Sequence, residues 1–444
     1  MSSPASLWQR HDVDEASRTA LASRGLEYRT VDAASDEFAG WLHAVSRGFQ
    51  DGERTPEQVT AGAARNTGKR LTGVFDPSGA MPAVAVGTVA SWPAELTVPG
   101  GAVEASAISA VTVAQTHRRR GIARALLEGE LRTSAAAGVP IAMLTVTEST
   151  LYGRYGFGAA ADAASVTIDT RRVRWTGPAA VAGRIDFVER AAAQEAVVML
   201  HERLRRRTPG DISLPGGHVD RFTGTAPDEK DGGDVRCVVY RDESGDIRGV
   251  LTYRVTANEH VIVQGTAKVD LLLAETDDAY AALWRFVLEL DLVSRVEAEL
   301  LGTDEPVLWM IGDRRAASVS VYDHQYLRIL DVVASLEARR WGAPGRLRLR
   351  VSDPLGIAAG DVRVDIDHTG AARVTADADG ETPAALGDGD EVEVELSVVE
   401  LSMLYLGGVS PVALARAGRI RVSDAAACAA MFASAVTPRL GFWY

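Results

Sequence analysis

Cysteine is almost absent from this sequence of 444 residues. The two that occur, Cys237 and Cys428, are far apart, and neither has another cysteine or a histidine at the spacing of metal ligands. The sequence therefore supports neither a disulfide framework nor a zinc site, and we expect no metal. The expected location is a reducing compartment, the cytoplasm.

Long apolar runs and an excess of positive charge are also lacking. No stretch approaches the roughly 20 residues of a membrane-spanning helix, and the first residues have no apolar signal-peptide core, so no membrane partner is expected. The 47 lysines and arginines are outnumbered by 60 aspartates and glutamates, which gives a formal net charge of −13. This acidity argues against a nucleic-acid partner and favours a cationic one, such as an amine substrate.

Apolar residues are nevertheless abundant enough to build more than one core. Hydrophobic residues make up 46% of the chain and charged residues 24%, which are the proportions of a globular protein. Since 444 residues exceed the size of one ordinary core, we expect two or three domains.

The most informative stretch joins a strand to a helix at residues 111–124. It reads Val111-Thr112-Val113-Ala114-Gln115-Thr116-His117-Arg118-Arg119-Arg120-Gly121-Ile122-Ala123-Arg124. The β-branched start predicts a strand, and the pattern after Gly121 predicts a helix. Unpaired N–H groups in the first helical turn, the helix dipole and the arginines together favour an anion such as a pyrophosphate. On these residues alone, a basic helix start on a solvated face is an equally good interpretation.

The elements around this stretch follow the order β-α-β-β-β-α-β. We predict a strand over 27–31, a helix over about 35–49, a loop after that helix, and strands over 71–75, 83–91 and 105–113. The helix that opens near residue 122 should end before Gly138, and residues 141–146 should form the next strand.

Two motifs in this region resemble a known family. The pattern Arg118-x-x-Gly121-x-Ala123 resembles the acyl-CoA pyrophosphate loop of the GNAT acetyltransferase superfamily. Downstream, the segment Leu151-Tyr152-Gly153-Arg154-Tyr155-Gly156-Phe157-Gly158 is similar to a block of the Eis-like (enhanced intracellular survival) acetyltransferases, whose loop is also similar to Thr116 to Gly121. The resemblance implies an α+β fold with tandem GNAT domains followed by a sterol-carrier-protein-like domain.

After about residue 171 the chain begins a second series of predicted strands and helices. A strand and helix are predicted around 184–206, strands over 235–240, 248–255 and 261–273, and a helix over 277–292. This order echoes the first domain, but the joint Ala274-Glu275-Thr276-Asp277-Asp278 is acidic and has no glycine. Because it would repel a pyrophosphate, we expect a degenerate second domain without a cofactor site.

A third region begins near residue 320. Alternating residues predict strands over 347–351, 362–366 and 392–396, and a helical pattern begins at Leu401. The run Leu404-Tyr405-Leu406-Gly407 resembles the sterol-carrier-type domain of the Eis-like family. We therefore predict an N-terminal catalytic GNAT domain over 1–170, a central degenerate GNAT-like domain over 171–318, and a sterol-carrier-protein-like domain over 319–444 whose C-terminus enters the active site.

The resemblance implies acetyl-CoA as co-substrate, and it implies residues that bind this molecule. They are Val111, Thr112, Val113, Arg118, Arg119, Arg120, Gly121, Ile122, Ala123, Arg124, Thr147 and Glu148. Tyr152 matches the family's catalytic tyrosine, and a phenol with a pKa near ~10 is protonated at neutral pH and can give a proton to the leaving sulfur. On sequence alone, Tyr152 is more readily explained as a core aromatic beside glycines.

The last residues of the sequence complete the implied site. In the Eis-like family the terminal carboxylate enters the active site, and here that group belongs to Tyr444. A carboxylate with a pKa of about 3.3–3.7 is a poor base for an ammonium group, so we expect it to orient the amine or to relay its proton through water. Phe442-Trp443-Tyr444 is too aromatic for the alternative, a frayed tail.

The resemblance also implies a substrate pocket and an assembly. Phe49 and Asp51 match a hydrophobic wall and an acidic contact for a cationic substrate, whereas Trp443 stands where an acidic residue is expected. The expected function is acetyl transfer, in a ternary complex, to amines of aminoglycoside-like or polyamine-like cations by a homohexamer. Two alternatives stay open: a protein-lysine acetyltransferase, and a protein that binds lipids or hydrophobic ligands and carries a vestigial acetyltransferase domain.

Overall fold

The computed structural model describes residues 11–179, 182–229, 231–258, 264–376 and 391–444. The helices are α1 (Glu15–Ala22), α2 (Glu37–Gly48), α3 (Pro56–Asn66), α4 (Ile122–Ala136), α5 (Ser149–Tyr152), α6 (Arg190–Arg205), α7 (His218–Thr223), α8 (Asp277–Leu288), α9 (Val307–Met310), α10 (Val332–Ala338), α11 (Val398–Leu404), α12 (Pro411–Arg416) and α13 (Ala425–Phe432). The strands are β1 (Glu27–Val31), β2 (Arg70–Phe75), β3 (Gly87–Val98), β4 (Gly101–Val113), β5 (Ile141–Thr145), β6 (Gly158–Asp169), β7 (Arg184–Phe187), β8 (Arg236–Arg241), β9 (Ile247–Thr256), β10 (Gly265–Ala274), β11 (Val293–Leu301), β12 (Ala317–Ile329), β13 (Gly345–Ser352), β14 (Gly360–Ile366), β15 (Ala372–Ala376), β16 (Glu391–Ser397) and β17 (Arg421–Val422).

These elements form two compact units. Unit 1 contains the described parts of Met1–Ala161 and His324–Pro438, together with Tyr444. Unit 2 contains the described parts of Asp162–Asp323 and of Arg439–Trp443. The division into three domains remains a prediction, and its limit at residue 318 lies inside β12.

In unit 1, a mixed sheet has the strand order β1-β2-β3-β4-β5-β12. Its neighbouring strands are antiparallel except for β4 and β5, whose parallel ladder covers only Ala105–Ala107 and Ile141–Met143. After this short ladder the two strands diverge. The gap lies beside the start of α4, which is the region of the predicted anion site.

A bulge lies in β4 shortly after the end of its ladder with β5. The register of β3 with β4 shifts between Thr88 and Ala90, and Ala110 has a positive φ of 52°. The Thr88 hydroxyl donates to the carbonyl oxygen of Ala110 over 2.7 Å, which holds the bulge in place. Bulges bend a strand and redirect its main-chain groups, and they are common beside active sites.

Helix α4 packs across this sheet because its apolar residues recur at helical spacing. Ile122, Leu126 and Leu131 are buried with Val89 of β3 and Ile108 of β4. On the same helix the buried Glu130 carboxylate accepts a hydrogen bond from Arg70 of β2 over 3.1 Å and another from Ser91 of β3 over 2.8 Å. The hydrophobic contacts and this buried ion pair fix the position of α4, and therefore of its N-terminus.

A second sheet of unit 1 has the order β15-β14-β13-β16-β17. Its strands alternate buried and exposed residues, so one face is covered and the other is wet. The Arg339 guanidinium is fully buried below helices α11 and α13, where it donates to the carbonyl oxygens of Tyr405 and Phe432 over 2.6 and 2.8 Å. A cation at these carbonyl ends satisfies orphan acceptors and interacts favourably with the helix dipoles.

Unit 2 contains a sheet with the order β6-β11-β10-β9-β8-β7. Helix α8 buries Leu283, Trp284 and Val287 in its core. As in unit 1, the central strands are parallel: β10 pairs with β11 from residue 265 to 269, and the ladder then ends. The space beyond it is lined by residues of both strands and by Arg439, Gly441 and Phe442.

The sequence predicted most of these elements. The strand over 27–31 is β1, and the predicted helices near 35–49, 122 and 277 are α2, α4 and α8, although α8 ends at Leu288 instead of residue 292. Residues 261–263 of one predicted strand lie outside the described part of the chain. Among the described helices, none combines the length and apolarity needed to cross a membrane.

The predicted loop after residue 49 is wrong. Helix α3 occupies Pro56–Asn66 because Thr55 and Gln58 form a capping box and proline sits at its first turn. Strands β11 and β12 were also not predicted, although each is nine or more residues long.

Candidate active site

The loop that precedes α4 has a backbone shape that needs a glycine. A turn of 3-10 helix over Gln115–His117 follows β4, and Arg119 has a positive φ of 60°. Gly121 is the N-cap of α4 with φ 75°, a left-handed conformation that L side chains rarely adopt, and a Cβ there would overlap the Arg24 guanidinium. The loop therefore turns sharply into the helix, and the first N–H groups of α4 follow directly.

The four arginines of this loop are not equivalent. Arg118, Arg119 and Arg124 are exposed, and Arg124 lies 3.6 Å from Glu128 one turn along the helix. Arg120 lies 3.5 Å from Asp76 and donates to the carbonyl oxygen of Arg24 over 3.1 Å. Arg120 thus fastens the loop to its neighbours, whereas the other three present charge to solvent.

The contact between His117 and Asp76 is a second interaction that holds the loop in position. His117 Nε2 lies 3.0 Å from a carboxylate oxygen of Asp76, and its Nδ1 lies 2.8 Å from the Thr116 hydroxyl. Hydrogen bonds from Ser78 and from His117 hold the pKa of Asp76 well below its usual range, so this carboxylate stays charged. Arg24 adds a further guanidinium, which donates to the carbonyl oxygen of Arg120.

The strand residues predicted to contact the co-substrate lie after the bulge in β4. Thr112 is buried and its hydroxyl lies 2.6 Å from that of Thr88, while Val111 and Val113 pack at the margin of the unit 1 core. Of the helix residues, Ile122 is buried and Ala123 is partly exposed. Ile122 thus faces the core, and the part of it available to an anion is its main-chain N–H group.

Tyr152 lies at the end of α5 and is only 7% exposed. Its ring packs edge-on against Phe157 with centroids 6.1 Å apart. Burial, and after it the charge of Glu148, raises the pKa of Tyr152 to about 12. The phenol is therefore a proton donor at every physiological pH, which is the state that the predicted role requires.

The turn that carries Tyr152 is held by a buried ion pair that the sequence did not reveal. Arg328 of β12 donates to the carbonyl oxygen of Tyr155 over 3.3 Å and to Asp353 over 2.6 Å, and both charged side chains are fully buried. Gly156, with φ 90°, is needed because a Cβ would come within 2.9 Å of Arg328. Asp353 also accepts main-chain N–H bonds from Leu355, Ile357 and Ala358.

Tyr444 belongs to unit 1 and lies at the end of β5. The Thr145 hydroxyl donates to its main-chain oxygen over 3.2 Å. Its ring packs edge-on against Trp92, with centroids 5.4 Å apart, and Lys69 lies 4.3 Å above the Trp92 ring. Neither Thr145 nor Trp92 was singled out from the sequence, because their contacts join residues far apart along the chain.

The remaining predicted residues are exposed. Thr147 and Glu148 lie between β5 and α5, and Glu148 is the N-cap of α5. Phe49, 47% exposed, ends α2, and the Asp51 carboxylate lies 2.7 Å from Arg54. The Asp51 carboxylate is therefore already paired with a cationic side chain of this unit.

Trp443 groups with unit 2 and not with the unit that contains Tyr444. Its side chain is 40% exposed, and its carbonyl oxygen lies 2.6 Å from His218 Nε2. The neighbouring Phe442 is 4% exposed and packs against His218 with ring centroids 5.2 Å apart. Residues 442–443 are thus docked in unit 2 and are not a frayed tail.

The corresponding joint of unit 2 differs from the unit 1 loop. Helix α8 is capped by the Thr276 side chain, and its first turn contains Asp277 and Asp278. Glu275 is engaged by Arg203 and Arg248 over 3.1 Å each. A helix start with this acidic charge disfavours a phosphate.

Comparisons with known proteins agree with this geometry. Residues 27–160 and 218–329 each match a family described as acetyltransferase (GNAT) domain, and residues 332–441 match a sterol carrier protein domain. The chain is 36% identical over 398 residues to an uncharacterized N-acetyltransferase of Streptomyces avermitilis, with 87% of this chain and 91% of that protein covered.

Two mycobacterial proteins are also similar. The chain is 30% identical over 355 residues to N-acetyltransferase Eis of Mycobacterium tuberculosis, with 74% of this chain and 77% of that protein covered. The crystal structure of Eis1 from Mycobacterium abscessus matches with a TM-score of 0.74 at 26% identity, over 94% of this chain and 100% of that one. The predicted α+β fold, two GNAT domains followed by a sterol-carrier-like domain, is confirmed.

Proposed function

The chain belongs to the Eis-like family of GNAT N-acetyltransferases, and from this we propose that it transfers the acetyl group of acetyl-CoA to an amine of a cationic small molecule. Aminoglycoside-like and polyamine-like compounds are the proposed class, bound together with acetyl-CoA in a ternary complex. The observation that supports this most directly is the left-handed Gly121 at the start of α4, beside the gap between β4 and β5.

The residues around Gly121 fit the phosphates of acetyl-CoA. The N–H groups of the first turn of α4, with the guanidinium groups of Arg118, Arg119 and Arg124, would hold them. Beyond Ala107 the edge of β4 lies along the gap, where its main-chain groups can bind an extended arm. Acetyl-CoA supplies the acetyl group as a thioester.

Tyr152 is the proposed proton donor. In the overall transfer an N–C bond forms, a C–S bond breaks, one proton leaves the nitrogen and one reaches the sulfur. Because burial raises the pKa of Tyr152 to about 12, its Oη stays protonated at neutral pH and can donate a hydrogen bond to the leaving sulfur, where negative charge develops as the C–S bond breaks.

The carboxylate of Tyr444 is the proposed orienting group for the amine. Its support is the position of the residue: the main-chain oxygen accepts from Thr145 at the end of β5, and the ring is packed on Trp92. A carboxylate attracts an ammonium and can accept a proton from it through water. The net charge of −13 favours the approach of a cation in general.

The test is a thiol-release assay with acetyl-CoA and a panel of amines: an aminoglycoside, a polyamine, an arylamine and a lysine peptide. The proposal expects turnover with the cationic small molecules to exceed turnover with the others. Preference for the peptide would favour the protein-lysine alternative. Binding of acetyl-CoA without turnover on any amine would contradict the proposal and favour a vestigial acetyltransferase domain.

The proposed role of the Tyr444 carboxylate can be tested separately, by extending the chain. Extending the chain by a few residues after Tyr444 removes the carboxylate from that position, whereas the same residues added before Met1 leave it there. Turnover should fall only in the C-terminal extension, with acetyl-CoA binding retained in both. Full activity of the variant with the C-terminal extension would contradict the proposed role of the Tyr444 carboxylate.

We also propose the homohexamer that the family implies. Exposed apolar side chains of unit 2, among them Trp309, Val319 and Val321, favour burial against other copies of the chain. Light scattering coupled to size-exclusion chromatography measures the mass directly. A mass of one 47.2 kDa chain at micromolar concentration would contradict the proposal.

A further inference from the structure

Unit 2 contains a polar cavity whose lining includes none of the predicted site residues. It has a volume of about 380 Å³, and its lining includes Arg171, Arg172, Arg295 and Arg315. Two threonines, two serines, Asn258 and Gln264 add hydroxyl and amide groups, and Ala316 is the apolar residue of the lining. A volume in the range of small-molecule sites, about 300–1,000 Å³, is thus surrounded almost entirely by polar groups.

The arginines come from separate elements that meet here. Arg171 and Arg172 lie in a 3-10 turn after β6, Arg295 lies on β11, and Arg315 lies in a 3-10 turn before β12. Four arginines in the lining of one cavity are unexpected in a chain with a net charge of −13, because like charges brought together repel one another. A bound anion removes this repulsion.

Acidic residues only partly neutralise this cluster. Asp169, the carboxylate in the lining, lies 3.2 Å from Arg171. Outside the lining, Asp313 lies 2.7 Å from Arg172 and Glu297 lies 3.7 Å from Arg295. Within the described part of the chain, Arg315 forms no ion pair.

The existing ion pairs are exchangeable. The side chains of Arg171, Arg172 and Arg295 are 50–63% exposed, and exposed pairs of this kind contribute only about 0–1 kcal/mol. An anion with several charged oxygens can accept from two or more guanidinium groups at once, and such bidentate contacts are stronger than single ones. A multivalent anion can therefore compete with these carboxylates for the arginines.

We propose that this cavity is a binding site for an oligophosphate-type polyanion. The guanidinium groups would take the charged oxygens, and the serine and threonine hydroxyls would donate to the remaining ones. No aromatic side chain lines the cavity, whose lining consists wholly of described residues. A nucleotide base would therefore find no stacking partner, and the phosphate chain is the part that is recognised.

The test measures binding of inorganic tripolyphosphate by calorimetry at low salt. The full-length double variant Arg295→Gln/Arg315→Gln removes two cavity charges. Arg221→Gln/Arg236→Gln removes the same charge from exposed positions of unit 2 outside the cavity and serves as the matched control. Arg118→Gln/Arg119→Gln removes charge from the loop at α4, where the phosphates of acetyl-CoA are proposed to bind. Thermal melting checks that each variant is folded.

The proposal expects the cavity variant to bind tripolyphosphate at this site at least tenfold more weakly than the Arg221/Arg236 control. The loop variant should retain the cavity site, and the affinity should fall as salt is raised, since the contacts are ionic. Equal binding by the cavity variant and the control, or loss of all binding in the loop variant alone, would overturn the proposal. Adenosine triphosphate binding much more tightly than tripolyphosphate would overturn the ligand class, because the base would then be recognised.

Discussion

The raised pKa of Tyr152 makes the pH dependence of catalysis a sharp test. An increase from 10 to about 12 corresponds to about 2.7 kcal/mol in favour of the neutral phenol. At about pH 10 an ordinary tyrosine is half ionised, whereas a tyrosine with a pKa of about 12 is ionised in about 1% of molecules. Tyr152 should therefore still donate its proton under conditions that disable an ordinary phenol.

The assay is thiol release measured from about pH 6 to about pH 10 with the best amine of the panel. The wild-type kcat/KM should rise as the amine loses its proton and should then stay level, without a descending limb. Tyr152→Phe should lower kcat about 100-fold or more, the usual contribution of a general acid, and should leave the KM for acetyl-CoA nearly unchanged.

Tyr155→Phe is the matched control. Tyr155 is a buried tyrosine three residues further along the same turn, and its contact with Arg328 uses the main chain. Its phenol can therefore be removed with little expected effect on kcat. Two results would refute the reasoning about Tyr152: a descending limb near pH 10 that disappears in Tyr152→Phe, or near-normal turnover of Tyr152→Phe.

Three further predictions concern the supports of the site. Gly121→Ala should raise the KM for acetyl-CoA. The control is Gly138→Ala, because Gly138 has a similar left-handed φ but open space around it; this variant should lose only about 1–2 kcal/mol of stability and leave the KM unchanged. Equal effects of the two substitutions would contradict the role of Gly121. Arg328→Met should destabilise the protein by about 3–5 kcal/mol in a melting experiment, because Asp353 is left as an unpaired buried charge, and adding Asp353→Asn should recover part of this loss. Burial lowers the pKa of Arg339 to about 10, so above that value the unfolded chain binds this proton more readily than the folded chain, which adds stability as pH rises. The melting temperature should therefore fall less steeply above about pH 10 than in Arg339→Met; parallel pH profiles would contradict this.

The sequence was most informative where the functional residues are close together along the chain. The loop at 118–124 and the block around Tyr152 are both short runs with characteristic glycines, and Ile122 and Tyr152 belong to the same hydrophobic cluster. Their roles in binding and catalysis remain predictions. The start of α3 could also have been predicted, because Thr55 and Gln58 have the spacing of a capping box. The polar composition of this segment suggested a loop instead.

The residues that hold the site in position could not be predicted from the sequence, for a physical reason. Arg328 contacts a carbonyl 173 residues away along the chain, and Thr145 contacts a residue 299 positions away. Such contacts follow from the tertiary fold, and nothing in the local pattern of either residue distinguishes it from an ordinary strand position. The partial neutralisation of Asp51 by Arg54, by contrast, joins residues three apart and was detectable.

The parallel pairs β4–β5 and β10–β11 differ in what lies beyond the end of each ladder. In unit 1 the space is adjacent to the glycine loop, whereas in unit 2 it is lined by Arg439, Gly441 and Phe442. In evolutionary terms, the residues around such a space are constrained by the segment of the same chain that packs against them. Selection on unit 2 would then act on how well it retains its own last residues, so substitutions around Phe442 should track the tail sequence among relatives instead of any co-substrate.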